Sequence, residues 1–136
     1  MSMQEATELS YADCRSLLAG GELGRVAVST PQGPRIIPLN YTLADDSIVF
    51  RTTPYSLLGT YARNTTLAFE VDDVDPATHR GWSVVAVGRA TMVVDVDELS
   101  VIKAIWDPQP WVGGQRWMYF QLPWRELTGR RLRGSS

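Results

Sequence analysis

At 136 residues the chain has the length of one domain, enough to bury a core without disulfide or metal staples. Hydrophobic residues at 44% and charged residues at 21% exclude a disordered or fibrous chain. Thirteen basic against fifteen acidic residues leave a net charge of −2, which excludes bulk attraction to nucleic acid, and the single cysteine, Cys14, excludes an intramolecular disulfide or a multi-cysteine metal site.

In chain order, the polar start Met1-Ser-Met-Gln-Glu-Ala lacks the basic end and apolar middle of a signal peptide. No apolar run approaches the roughly 18 residues of a membrane span, and a reducing cytoplasmic setting is expected. Ser10 to Gly20 predicts a short helix, with Ser10 as N-cap, Leu17 and Leu18 on an apolar face and Gly20-Gly21 as its end. Cys14 reads as a small apolar residue on that helix. Leu23 to Thr30 alternates apolar and polar residues, Pro31-Gln-Gly-Pro predicts a turn, and Arg35 to Leu43 predicts the returning strand. Ser47 to Thr52 follows as a third strand after the Asp45-Asp46 turn.

A helical turn is expected after Pro54, with Thr53 as cap and Ser56 to Arg63 as the helix. Thr66 to Asp72 predicts a fourth strand, Asp72 to Pro76 an acidic loop, and Trp82 to Asp95 a long strand in which Gly88 marks a bulge or bend. Asp97 to Trp106 predicts a helix capped by Asp97. Arg116 to Leu122 and Leu127 to Leu132 close the chain as two strands, ahead of a frayed tail at 134–136. No repeat or linker interrupts this order, so residues 1–136 read as one domain. The pattern is mainly β with short helices, and a small β-barrel is preferred over an open α+β sheet because closure removes exposed strand edges.

Most catalytic sets are absent. There is one histidine, His79, which reads as a solvated loop residue, and no glycine-rich phosphate loop. The acids Glu70, Asp72, Asp73 and Asp75 lack the glycine and terminal glutamate of a calcium loop. Twelve of the thirteen basic residues are arginine, which reflects either composition bias or bidentate recognition of phosphate or carboxylate. Arg51 and Thr52 end a strand just before a helix, a combination suited to a phosphate monoester. Pairing of Arg51 with Glu70 on a neighbouring strand is the other reading, and both stay open. Three of the five tryptophans, Trp106, Trp111 and Trp117, crowd one stretch. Trp106 and Trp117 read as core residues, whereas Trp111, in a Pro/Gly-rich loop, would need a partner subunit or a flat ligand to bury it.

The segments Gly24-Arg-Val-Ala-Val, Pro38-Leu-Asn-Tyr, Ile48-Val-Phe-Arg-Thr, Ala68-Phe-Glu-Val-Asp, Gly81-Trp-Ser-Val and Leu127-Thr-Gly-Arg-Arg together resemble the pyridoxamine 5'-phosphate oxidase-like superfamily, in particular its small actinobacterial flavin-nucleotide-binding members. Each motif is short, and their order over residues 10–133 makes the set specific. The resemblance implies an FMN-binding split β-barrel, a homodimer with two equivalent interface clefts, and flavin-dependent oxidoreductase chemistry on a small molecule. It also implies that Pro38, Leu39 and Asn40 line the flavin ring and that Arg51 and Thr52 meet the ribityl phosphate. Trp82 and Ser83 would lie near the cleft, and Trp111, Arg116 and Arg130 would approach it, often from the partner chain. Ser56 stands where the resemblance would place a phosphate-binding lysine, on an expected exposed first helical turn. Losing one such contact costs on the order of 1.5–3 kcal/mol. Alternatives to FMN are therefore a deazaflavin, a heme or an empty cleft, and the alternative to an enzyme is a cofactor-binding or sensing module of the same fold. No side chain stands out as a catalytic acid or base, and no metal site is expected.

Overall fold

The computed structural model describes residues 6–106 and 117–134. Its elements are β1 (Ala6–Glu8), α1 (Tyr11–Ala19), β2 (Leu23–Thr30), β3 (Gly33–Asn40), β4 (Thr42–Ala44), β5 (Ser47–Thr52), α2 (Leu57–Tyr61), β6 (Thr65–Asp75), β7 (Arg80–Met92), α3 (Val96–Trp106) and β8 (Met118–Arg133). The strands form one antiparallel sheet in the order β3-β2-β6-β7-β8-β5-β4, with β1 added along β8. β3 and β4 stand at opposite ends of this order yet are joined through Tyr41 alone. The sheet must therefore curl until its edges meet, as the expected split barrel requires, mainly β with three short helices among the described residues. Chain continuity, rather than a hydrogen-bonded ladder, closes the seam between β3 and β4.

Alternation along each strand fills the inside of the curl. Val26, Val28, Ile48, Phe50, Leu67, Phe69, Ala86, Phe120 and Leu122 are buried there, joined by Leu18 of α1 and Leu58 of α2. The rings of Phe50 and Phe120 stack at 5.4 Å, and Tyr41 meets Phe69 edge-on at 5.1 Å. Cys14 is buried on α1, as expected of a small apolar residue.

Tyr41 fastens the seam. Its hydroxyl donates to the Leu18 carbonyl of α1, and burial pushes its pKa from 10.0 up to about 12. A phenol whose folded pKa exceeds its unfolded one leaves stability intact below about pH 10 and removes it as pH rises toward 12. Denaturant midpoints are expected to fall across that window. In Tyr41→Phe the fall should flatten; an unchanged alkaline slope would assign it to other groups.

Several boundaries differ from the sequence reading. The acidic stretch 72–75 is not a loop: it continues β6, with Asp72 to Asp75 paired against Ser83 to Arg80 of β7. Water reaches these carboxylates on a projecting strand end, and the turn waits for Pro76, which has no N–H to donate to a ladder. His79 ends this turn with φ 58° and is exposed, as expected. The two expected closing strands are one, β8. Its register against β7 shifts between Val87 and Gly88, and a Cβ on Gly88 would fall 2.1 Å from the Pro123 carbonyl oxygen. The bulge accommodates Pro123 within a continuous strand. Asp95, not Asp97, caps α3: its carboxylate accepts from the amides of Asp97 (2.9 Å) and Glu98 (3.0 Å).

The outer face across β3, β2, β6 and β7 carries a band of apolar residues. Ile36, Ala27, Ala68 and Val87 follow one another across the ladders, flanked by Leu23, Pro38 and Val85. Leu23 and Ile36 remain 60% and 70% exposed. No helix of the described residues is long and apolar enough to cross a membrane.

Candidate functional site

β5 sorts its residues by alternation: Ile48, Phe50 and Thr52 face inward, whereas Val49 and Arg51 face out. Arg51 lies opposite Tyr119 at the start of β8. On this outer face α3 packs through Ile102 and Leu99 against Val49, Val93 and Tyr119. That packing brings Trp106, the last residue of α3, over Arg51, while Trp117 approaches from just before β8. The Arg51 guanidinium carbon is 5.1 Å from the Trp106 ring centre and 4.4 Å from that of Trp117. Each such contact is worth about 0.5–2 kcal/mol, depending on how much water is excluded. Stacking engages the faces of the guanidinium, whose N–H donors lie in its plane.

Asn40, the last residue of β3, shares a recess of about 330 Å³ with Arg51, Trp106 and Trp117. Asn40 and Trp106 also border a neighbouring recess of about 280 Å³ lined by Gly21, Glu22, Tyr41 and Thr42. The result is a groove with a cation held between indoles, flanked by a side-chain amide, at the seam of the curled sheet. Such a groove suits a flat heterocycle carrying an anion.

The structure brings Asn40 and Arg51 together in this groove, and places the other expected residues that it describes elsewhere. Thr52 turns inward and is buried; its hydroxyl lies 2.5 Å from that of Ser56. Ser56 caps α2, accepting from the Gly59 amide (2.9 Å) and donating to the Thr53 carbonyl (2.7 Å). Ser56, rather than Thr53, is thus the cap. It is half-buried, not the exposed first-turn residue expected. Ser56→Ala should cost about 1 kcal/mol of stability through the lost cap. Ser56→Lys should cost at least as much and bring no tenfold gain in anion affinity; thermal melts and ligand titrations of both variants check this.

Pro38 and Asn40 are exposed on the outer face, but Leu39 between them packs against the core. Trp82 likewise packs against the core, whereas Ser83 faces outward opposite Arg130. Ser83 and Arg130 border another recess of about 350 Å³ with Glu8, Leu9, Val85 and Thr128. At about 3.3 Å per strand residue, the length of β8 puts Arg130 on the order of 30 Å from the Tyr119 position beside Arg51. One chain cannot bring both arginines to one small molecule. Trp111 and Arg116 lie outside the described residues.

Glu70 is held by Arg25, at 2.9 Å, and Arg25 also reaches Asp72 at 3.2 Å. This decides the open question of an Arg51–Glu70 pair: the acid belongs to Arg25. Burial lifts the Glu70 carboxyl above its usual range, Asp72 adds to the rise, and Arg25 opposes it. Trp106 and Trp117, expected as core residues, do pack against the cluster of Val49, Val93, Ile102 and Tyr119, and from these half-buried positions they also wall the groove. Their crowding with Trp111 was the signal in the sequence.

Residues 10–131 match the family model described as pyridoxamine 5'-phosphate oxidase. The chain is 32% identical over 116 residues to the uncharacterized protein Rv0080 of Mycobacterium tuberculosis, covering 82% of this chain and 75% of that one. A solved structure described as the FAD binding protein from Mycobacterium smegmatis superposes with a TM-score of 0.84 at 30% identity, covering 95% of this chain and all of that one. A protein of unknown function from Corynebacterium diphtheriae superposes at 0.78 with 29% identity, covering 93% and 98% of the two chains.

Proposed function

Because the chain belongs to the pyridoxamine 5'-phosphate oxidase family, we propose that it binds a flavin nucleotide at the Asn40–Arg51 groove and acts as a flavin-dependent oxidoreductase. The observation that carries this reading is Arg51, fixed between Trp106 and Trp117 beside Asn40. These residues fit the group: a guanidinium fork for the phosphate that FMN and FAD share, and indole and amide surfaces for a flat ring. The similarity to a structure described as FAD binding, at 30% identity, supports the same assignment. FMN is the smaller ligand that meets these requirements and is the one we assign. When bound, a flavin supplies hydride transfer. The chain's own part is to bind and orient it: Arg51 offsets charge, Asn40 offers hydrogen bonds, and the two indoles exclude water.

The chain is proposed to work as a twofold homodimer. Arg51 and Arg130 lie too far apart in one protomer to share a ligand, and the apolar band from Ile36 to Val87 is suited to burial against a second copy. A twofold contact would let the Ser83–Arg130 recess of one protomer complete the groove of the other. Sedimentation at micromolar concentration is expected to give twice the chain mass; a mass of one chain would remove this part of the reading.

Titration of the purified protein with FMN, followed by flavin fluorescence and absorption, tests the cofactor assignment. Saturable binding is expected, and a protein that ignores both FMN and FAD would overturn it. One observation favours a second reading, a binding or sensing module without turnover: among the described residues, the groove lining of Asn40, Arg51, Trp106 and Trp117 contains no group that titrates near neutral pH.

A further inference from the structure

The end of the sheet remote from Arg51 gathers charge that the proposed flavin groove does not use. β7 begins and β8 ends there, and the ladder sets Arg80 directly opposite Arg133. Arg131 shares that face, two residues back along β8 and opposite Trp82. Like charges placed directly opposite destabilise a strand pair. The chain tolerates three of them together although its net charge is −2.

Two arginines of the described residues hold acids, Arg25 with Glu70 and Asp72 and Arg15 with Asp46 at 2.9 Å; what sets Arg80, Arg131 and Arg133 apart is that they gather around one recess. Arg80, Arg131 and Arg133 are exposed and form no ion pair with the described residues. The nearest candidates in the ladders do not supply one. Asp75 lies opposite Arg80, but its carboxylate accepts from the Ala77 amide at 2.9 Å; Asp73 lies opposite Trp82, and Thr7 opposite Arg131. Between these arginines is a recess of about 380 Å³, bordered also by Gly81 and Leu132.

We propose that this recess binds a pyrophosphate group. Arginine forks take phosphate oxygens bidentately, and three forks spread over two adjacent strands match the span of two linked phosphates. Two linked phosphates spread their charge over both strands and relieve the repulsion between Arg80 and Arg133. The group has two sources: a free nucleoside diphosphate, or the diphosphate of an adenine-containing dinucleotide seated in this recess and not at Arg51. The recess stands on its own residues and does not depend on the Arg51 assignment.

The test is calorimetric titration of the full chain as isolated with ADP, AMP, inorganic pyrophosphate, FMN and FAD, at two salt concentrations. It compares wild type, the double variant Arg131→Ala/Arg133→Ala and the control Arg15→Ala. If the source is a free nucleotide, ADP and pyrophosphate should bind at least about tenfold more tightly than AMP, and the double variant should lose that advantage. If the source is a dinucleotide, the double variant should weaken FAD about tenfold while leaving FMN unchanged. A double variant that binds both ADP and FAD as wild type does would overturn the proposal, as would an equal loss in Arg15→Ala, which would mark non-specific attraction. Loss of FMN binding in the wild type, with ADP discrimination intact, would instead count against the flavin groove alone.

Discussion

Phe120→Ala is expected to lower stability by about 3–5 kcal/mol, the largest effect of any single substitution considered. Phe120 is fully buried near the start of β8, opposite Phe50 in the β5 ladder and Met92 in the β7 ladder, with its ring stacked on Phe50 at 12°. Truncation leaves a cavity lined by strands fixed on both sides, so the space cannot readily collapse. Domains of this size hold only about 5–15 kcal/mol in total. The melting temperature should fall by roughly 10–20 °C. A loss of under about 1 kcal/mol, measured by denaturant titration, would show that the curl of the sheet relaxes around the site.

Arg51→Ala should weaken FMN binding by about ten- to a hundredfold and riboflavin far less, because only FMN carries the anion that the guanidinium meets. Stability should fall modestly, by about 1–2 kcal/mol, as contacts to Trp106 and Trp117 are lost. Arg51→Lys separates charge from shape: it keeps the cation but loses the planar fork and much of the stacking, so recovery should be partial. Arg25→Ala, which removes the partner of Glu70, should leave FMN affinity unchanged. Equal losses for FMN and riboflavin in Arg51→Ala would remove phosphate recognition from the account.

The strands of this fold were legible in the sequence because alternation and turn residues report local geometry directly. Leu23 to Thr30 and Ser47 to Thr52 match their strands to the residue. Gly88 was legible as a bulge, and Ser10 caps α1 through the Asp13 amide as expected. Local signals misled where tertiary pairing overrode them. Asp72 to Asp75 have poor strand propensity but find partners on β7, and Pro123 is accommodated only because Gly88 lies across from it. β1, three residues long, exists only by pairing with the distant end of β8 and carries no signal of its own.

The candidate groove was legible in part. Arg51 and Asn40 were identified, and the structure places them together. Neighbours in sequence were taken as neighbours in space, however, and a strand sends consecutive side chains to opposite faces. Hence Thr52 separates from Arg51, Leu39 from Asn40, and Trp82 from Ser83. Trp106 was hidden as a site residue because its role depends on where α3 lands, which the helix pattern alone does not specify. The identity of Glu70's partner likewise depended on strand order: β6 lies beside β2, which carries Arg25, not beside β5.

β8 also has a consequence for how the chain is made. β1, β5 and β7 all pair with β8, so these three ladders cannot form until residues 118–133 have been synthesised. The β2–β3 hairpin can form early, but β5 must wait with Ile48 and Phe50 exposed while some sixty-five further residues emerge. A ribosome stalled before Met118 would hold an aggregation-prone chain instead of a smaller folded one. Cells making this protein should therefore show chaperone dependence for chains that have not yet exposed β8, relieved when β8 clears the exit tunnel.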